Sequence, residues 1–174
     1  MCATLAHGDL ACENGAGMDH ILVMGIAGAG KTTLARALAA HLGAQYVDAD
    51  DFHMDDARAK MQAGTPLTDA DRAPWLARVK AYLNMNQQRK VLACSALKRA
   101  YRSTLGLPIC VYVAIDPDLA AQRLQARHHH FVDSTLLASQ LATLEIPQDG
   151  EARQIIRVDA AMTTSDQIAA FLDA

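Results

Sequence analysis

The chain has 174 residues, 51% of them hydrophobic and 20% charged, with a formal net charge of −3. That length suits one domain with a genuine core, and the balance is that of a globular chain rather than a disordered one. No apolar run approaches the roughly 20 residues of a membrane span, and no broad basic field exists to release a nucleic acid's counterions. Cys2, Cys12, Cys94 and Cys110 lack CxxC spacing, which predicts reduced thiols in a cytoplasmic protein. Residues 1–17 carry neither a basic block nor an apolar one, so they read as a loose tail or as sequence ahead of a start at Met18. Residues 18–174 are then a single domain.

Ile21-Leu22-Val23-Met24 is a short apolar strand, and a helix is expected over 32–42. Between them lies Gly25-Ile26-Ala27-Gly28-Ala29-Gly30-Lys31-Thr32, the G-x-x-x-x-G-K-[ST] pattern in its required strand–loop–helix setting. Glycines at 25, 28 and 30 let backbone N–H groups turn inward around an anion. The helix N-terminus running into Thr33 adds partial positive charge, Lys31 a full one, and Thr32 a hydroxyl suited to magnesium. This stretch predicts a nucleoside triphosphate site.

Tyr46-Val47 forms a second strand that ends in Asp48-Ala49-Asp50-Asp51-Phe52-His53. Period two puts Asp48 and Asp50 on one side if the strand runs that far. Helices are expected over 55–64 and 69–88, with a Thr68/Asp71 capping box and a kink or second start at Pro74. Val91 to Cys94 is the third strand, with Ser95 as the cap of a helix bearing Lys98 and Arg102. Ile109 to Ile115 is the fourth, and Asp116-Pro117 opens a helix carrying Arg123 and Arg127 at i,i+4. After His128-His129-His130-Phe131 come a helix over 134–144, a strand over 155–158 and a closing helix over 165–172. Strands alternating with helices predict a parallel sheet covered on both faces.

Phosphoryl transfer asks for positioning and charge neutralisation. Of Asp48 and Asp50, one is suited to order a magnesium-bound water and the other to accept a hydroxyl proton; capping a helix is the plainer alternative. Arg123 and Arg127 are either a cationic lid over the phosphates or solvated surface. Lys98 and Arg102 suit an anionic group on the acceptor. The three adjacent histidines do not converge on one ion, which argues against zinc. Trp75 is either core or a wall of the acceptor pocket.

Several blocks together resemble the small P-loop gluconate kinases of the thermoresistant gluconokinase type. They are the phosphate loop, Asp48-Ala49-Asp50 with His53, Lys60-Met61 through Gly64-x-Pro66-Leu67, and Asp69-x-Asp71-Arg72-x-Pro74-Trp75-Leu76. Cys94-Ser95-Ala96-Leu97-Lys98-Arg99-x-Tyr101-Arg102, Arg127 with His130-Phe131, Ser139-Gln140 and Thr143-Leu144-Glu145 complete the match. The chain departs from the family at Met54, Ala57, His128, His129 and Ala142.

The resemblance implies an α/β P-loop NTPase fold of the nucleoside-monophosphate-kinase type. That is three α/β/α layers around a five-stranded parallel sheet, with a helical lid near 123–145 and often a homodimer. It also implies Mg-ATP-dependent phosphorylation of D-gluconate on its 6-hydroxyl. On that reading Gly25 to Thr33 with Arg123 and Arg127 bind ATP, and Thr32 and Asp48 hold Mg2+. Lys31, Asp50 and Arg127 are catalytic, with Asp50 as the base. His53, Arg72, Trp75, Lys98, Arg102 and His130 join Asp50 around a sugar acid. A kinase of another metabolite and a non-catalytic nucleotide-binding regulator are the rival readings.

Overall fold

The computed structural model describes residues 19–126 and 134–174. In chain order the elements are β1 (Ile21–Met24), α1 (Lys31–His41), β2 (Gln45–Asp48), a 3-10 turn (Ala49–Phe52), α2 (Asp55–Gln62) and α3 (Asp69–Leu83). There follow β3 (Lys90–Ala93), α4 (Arg99–Leu105), β4 (Ile109–Ala114), α5 (Pro117–Gln125), α6 (Ser134–Thr143), β5 (Gln154–Asp159) and α7 (Thr164–Leu172). All five strands are parallel, in the order β2-β3-β1-β4-β5.

Strand alternation sorts the core into two layers. Leu22, Met24, Leu92, Cys94 and Tyr112 face α3 and α4 through Trp75, Leu76, Val79, Leu83, Tyr101 and Leu105. Ile21, Val23, Val91, Ala93, Val111 and Val113 face α1 through Leu34, Ala35 and Leu38, with Ile168 and Phe171 of α7 at the margin. The central strands are apolar on both sides because helices cover both. Chain order reverses at β1, which lies between β3 and β4, so the crevice beyond its carboxyl end is where a ligand binds.

Helix α3 opens on the expected capping box, with Thr68 Oγ1 accepting the Asp71 N–H and Asp71 accepting the Thr68 N–H. It is one continuous helix through Pro74, so no second helix starts there. Pro74 stands early enough that only the bond to the Ala70 carbonyl is forgone. The helix ends at Leu83 rather than near 88, and its last turn is closed by the fully buried Lys90. Lys90 Nζ donates to the carbonyl of Leu83 at 3.0 Å and to Asn86 Oδ1 at 2.6 Å. A cation held at a helix C-terminus is favourably placed against the macrodipole.

Candidate active site

The phosphate loop joins β1 to α1. Gly25 has φ +146°, and a Cβ there would lie 2.7 Å from the Val113 carbonyl oxygen. Gly28 has φ +82°, and its Cβ would lie 2.9 Å from that of Ala120. Both positions therefore demand glycine. Helix α1 begins with no side-chain cap and no acid in its first turn. Its first N–H groups, Thr32 and Thr33 among them, are left to an anion, and the cradle fits a nucleotide's phosphates. Lys31 Nζ donates to the Ile26 carbonyl at 2.9 Å, folding back along the loop.

Strand β2 ends at Asp48, and Asp50 belongs to the following 3-10 turn. The strand does not run as far as Asp50, so a turn rather than strand alternation delivers it. Asp48 Oδ1 accepts the Asp50 N–H at 3.1 Å, and Asp48 Oδ2 accepts the Tyr46 hydroxyl at 2.7 Å. Asp48 does cap this turn, as the plainer reading had it. The same Tyr46 hydroxyl interacts with Thr32, so Thr32 and Asp48 share one neighbour and together offer oxygen donors that fit Mg2+.

The Asp50 side chain is 84% exposed to solvent. Crowding by the protein raises its pKa above the ordinary 3.8, and the Asp48 carboxylate raises it further. His53 and Lys31 act in the opposite sense. His53 is buried and stacks on Trp75 with ring centroids 4.5 Å apart. Its Nε2 is 3.9 Å from Asp50 Oδ1. Burial lowers the His53 pKa, which keeps the ring neutral. The buried Nδ1 has no hydrogen-bond partner among the described residues, as expected of an atom reserved for a ligand. Trp75 is core: its Nε1 donates to the Ala49 carbonyl at 2.6 Å and its ring backs His53.

The Arg72 charge adds a little to the lowering of the His53 pKa. Arg72 Nη1 donates to the Tyr101 hydroxyl at 3.3 Å. That hydroxyl donates to Asp69, and both Asp69 oxygens accept from Lys98 Nζ, at 2.8 and 2.7 Å. Asp50 and His53 thus form one pair, and Arg72, Tyr101, Asp69 and Lys98 form a separate contact-linked cluster.

Three expectations are revised. Ser95 does not cap α4; Lys98 is its N-cap residue, and Glu145 Oε2 accepts the Arg99 N–H at 2.5 Å. Arg102 does not present its charge to an acceptor. It is buried, its Nε donates to Glu151 at 2.7 Å, and Nη1 donates to the Ala96 and Leu97 carbonyls at 3.0 and 3.1 Å. It braces the turn in which Ala96 holds φ 41°. Arg123 lies against the phosphate loop, with Nη1 3.4 Å from the Gly28 carbonyl and Nη2 donating to Ala160 at 2.8 Å. Arg127 and His130, and with them the lid's tip, lie outside the described residues.

The buried Arg102–Glu151 pair predicts a stability effect. Glu151→Ala strands a guanidinium in the interior and is expected to cost about 3 kcal/mol, roughly a 10 °C fall in unfolding midpoint. An unchanged midpoint would refute the bracing role. Glu151 is held below its ordinary 4.5 chiefly by the Arg102 hydrogen bond. The wild type therefore keeps this stabilisation above that value and loses it as pH falls below.

Asp69, Tyr101, Gln140 and Glu151 carry no assigned role in the sequence reading. Gln140 Oε1 accepts the Ala27 N–H at 2.7 Å, tying α6 to the phosphate loop. Spacing from Thr68 marks Asp71 as the capping residue, and only contacts show that Asp69 holds Lys98.

The shikimate kinase family profile matches residues 27–169. The gluconokinase of Gluconobacter oxydans is 48% identical over 146 residues, which span 79% of this chain and 80% of that one. A gluconokinase structure from Sinorhizobium meliloti 1021 superposes with a TM-score of 0.78 at 36% identity, over 90% of this chain and 91% of the other. An unliganded sugar kinase from Janibacter gives 0.82 at 36% identity, over 90% and 93%. A phosphate loop, a paired-acid strand end and identity at this level over most of both chains have one reading: the chain belongs to the shikimate-kinase-type P-loop kinases and, within them, to the gluconokinase family.

Proposed function

We propose that this protein is a cytoplasmic gluconokinase, transferring the γ-phosphoryl group of Mg-ATP to the 6-hydroxyl of D-gluconate. The Asp50–His53 pair beside the phosphate loop, together with the Arg72–Tyr101–Asp69–Lys98 cluster, carries this reading. They offer a proton acceptor beside the phosphate loop, a buried imidazole for sugar hydroxyls, and two cations at the far end for a carboxylate. Met54 and Ala57, which depart from the family's usual residues, lie just beyond His53.

The loop N–H groups and Lys31 hold the triphosphate, with Arg123 alongside and Arg127 closing over it. Bound Mg2+, for which Thr32 and Asp48 are the residues, would neutralise phosphate charge. Asp50 takes the proton as the C6 oxygen bonds to the γ-phosphorus and the bond to the ADP oxygen breaks. Lys31 balances the charge gathered on the phosphoryl oxygens. His53, backed by Trp75, and His130 orient the sugar chain, while Arg72 and Lys98 receive its carboxylate.

An ADP-release assay across D-gluconate, other aldonates, D-glucose and shikimate tests the reading. Turnover with gluconate is the expected result; turnover with shikimate alone would refute it. Asp50→Asn keeps the shape and removes the proton acceptor, so kcat is expected to fall about 100-fold or more with ATP binding little changed. Damage from Asp51→Asn instead would move the base by one residue. Because Asp50 must be ionised to act, kcat falls as pH drops through its pKa. Its raised value sets that limb above the ordinary 3.8.

A further inference from the structure

Asp69 lies among the cations that the proposed function gives to the acceptor's carboxylate. Both its oxygens hold Lys98 Nζ, at 2.8 and 2.7 Å, and Oδ1 also accepts the Tyr101 hydroxyl. Arg72 Nη1 is 3.9 Å from that oxygen and donates to the same hydroxyl. Lys98 and Arg72 further lie over the Tyr101 ring, 5.7 and 5.8 Å from its centroid.

Folding does not require this arrangement. The cap of α3 is made by Thr68 and Asp71, and Asp71 has its own cation in Lys60 at 2.6 Å. The Asp69 side chain is 62% exposed, and an ion pair so open to water adds little to stability. What the carboxylate does is local. It fixes the ammonium of Lys98 and the hydroxyl of Tyr101, and it cancels one of the two positive charges. Arg72, Lys98 and Asp69 together present a single net charge, enough for one carboxylate and unsuited to two.

We infer that Asp69 is a positioning and specificity-determining residue that makes the acceptor site select monoanionic sugar acids over dianionic ones. The inference rests on the reading of Arg72 and Lys98 as the carboxylate's partners. Removing the charge lets Lys98 swing and weakens every acid alike, but it also raises the local field, which favours a dianion over a monoanion. The ratio of the two affinities isolates the second effect from the first.

The experiment measures KM for D-gluconate and the inhibition constant of D-glucarate, a dianion with no C6 hydroxyl to phosphorylate. It uses the wild type, Asp69→Asn, Asp69→Glu and Lys98→Gln. For Asp69→Asn the ratio of the glucarate constant to the gluconate KM is expected to fall about tenfold, with KM for ATP unchanged. Asp69→Glu, which restores the charge, is expected to return the ratio to within about threefold of wild type. A ratio unchanged in Asp69→Asn overturns the inference. Lys98→Gln separates this from failure of the underlying reading: gluconate KM is expected to rise about tenfold or more, and an unchanged KM would mean the carboxylate binds elsewhere.

Discussion

Lys31→Ala is expected to lower kcat by about 1,000-fold or more while leaving the fold intact. The ammonium sits at the first residue of α1 and reaches back 2.9 Å to the Ile26 carbonyl, so it spans the loop around the triphosphate. As the bond to the leaving oxygen lengthens, charge builds on oxygens next to that ammonium. A positive group already in place costs no reorganisation at that moment. Lys31 is only half-buried and belongs to none of the core clusters, so truncation opens no cavity. The decisive measurement is steady-state kinetics beside a thermal melt. A variant that melts like the wild type and keeps most of its kcat would overturn the assignment of Lys31 to catalysis.

D-Gluconate is expected to exceed D-glucose by about 1,000-fold or more in kcat/KM. The two share hydroxyls and differ in the end group, so the comparison weighs the far end of the site. Arg72 and Lys98 side chains are each 31% exposed, partly withdrawn from water. On the proposed reading a carboxylate adds charge-assisted hydrogen bonds to their remaining N–H groups, which a neutral ring does not. Arg102 adds nothing to this preference, because Glu151 already holds it. Arg102→Lys is therefore expected to alter melting more than the gluconate-to-glucose ratio. Comparable rates with both sugars would mean that Arg72 and Lys98 serve some other group. Activity confined to another aldonate would keep the mechanism and change the acceptor.

Much of this protein is legible in its sequence because the signals are local. A glycine pattern between an apolar strand and a helix specifies the phosphate loop through backbone conformation and helix charge alone. Apolar runs alternating with helical ones dictate a covered parallel sheet, and the Thr68/Asp71 box is formed by residues three apart. The positions of Lys31, Thr32, Asp48 and Asp50 at the carboxyl edge follow from that topology. Long-range partners are another matter, since helical spacing says which residues share a face but not what faces them. Lys98 and Arg102 looked equivalent at i,i+4, yet one is the N-cap residue held by Asp69 and the other is buried against Glu151, 49 residues away. Spacing marks Asp71 as a cap, but only the arrival of Lys98 from another element shows what Asp69 does. Charge type and spacing are written in the chain, whereas the pairing of charges depends on which elements the fold brings together.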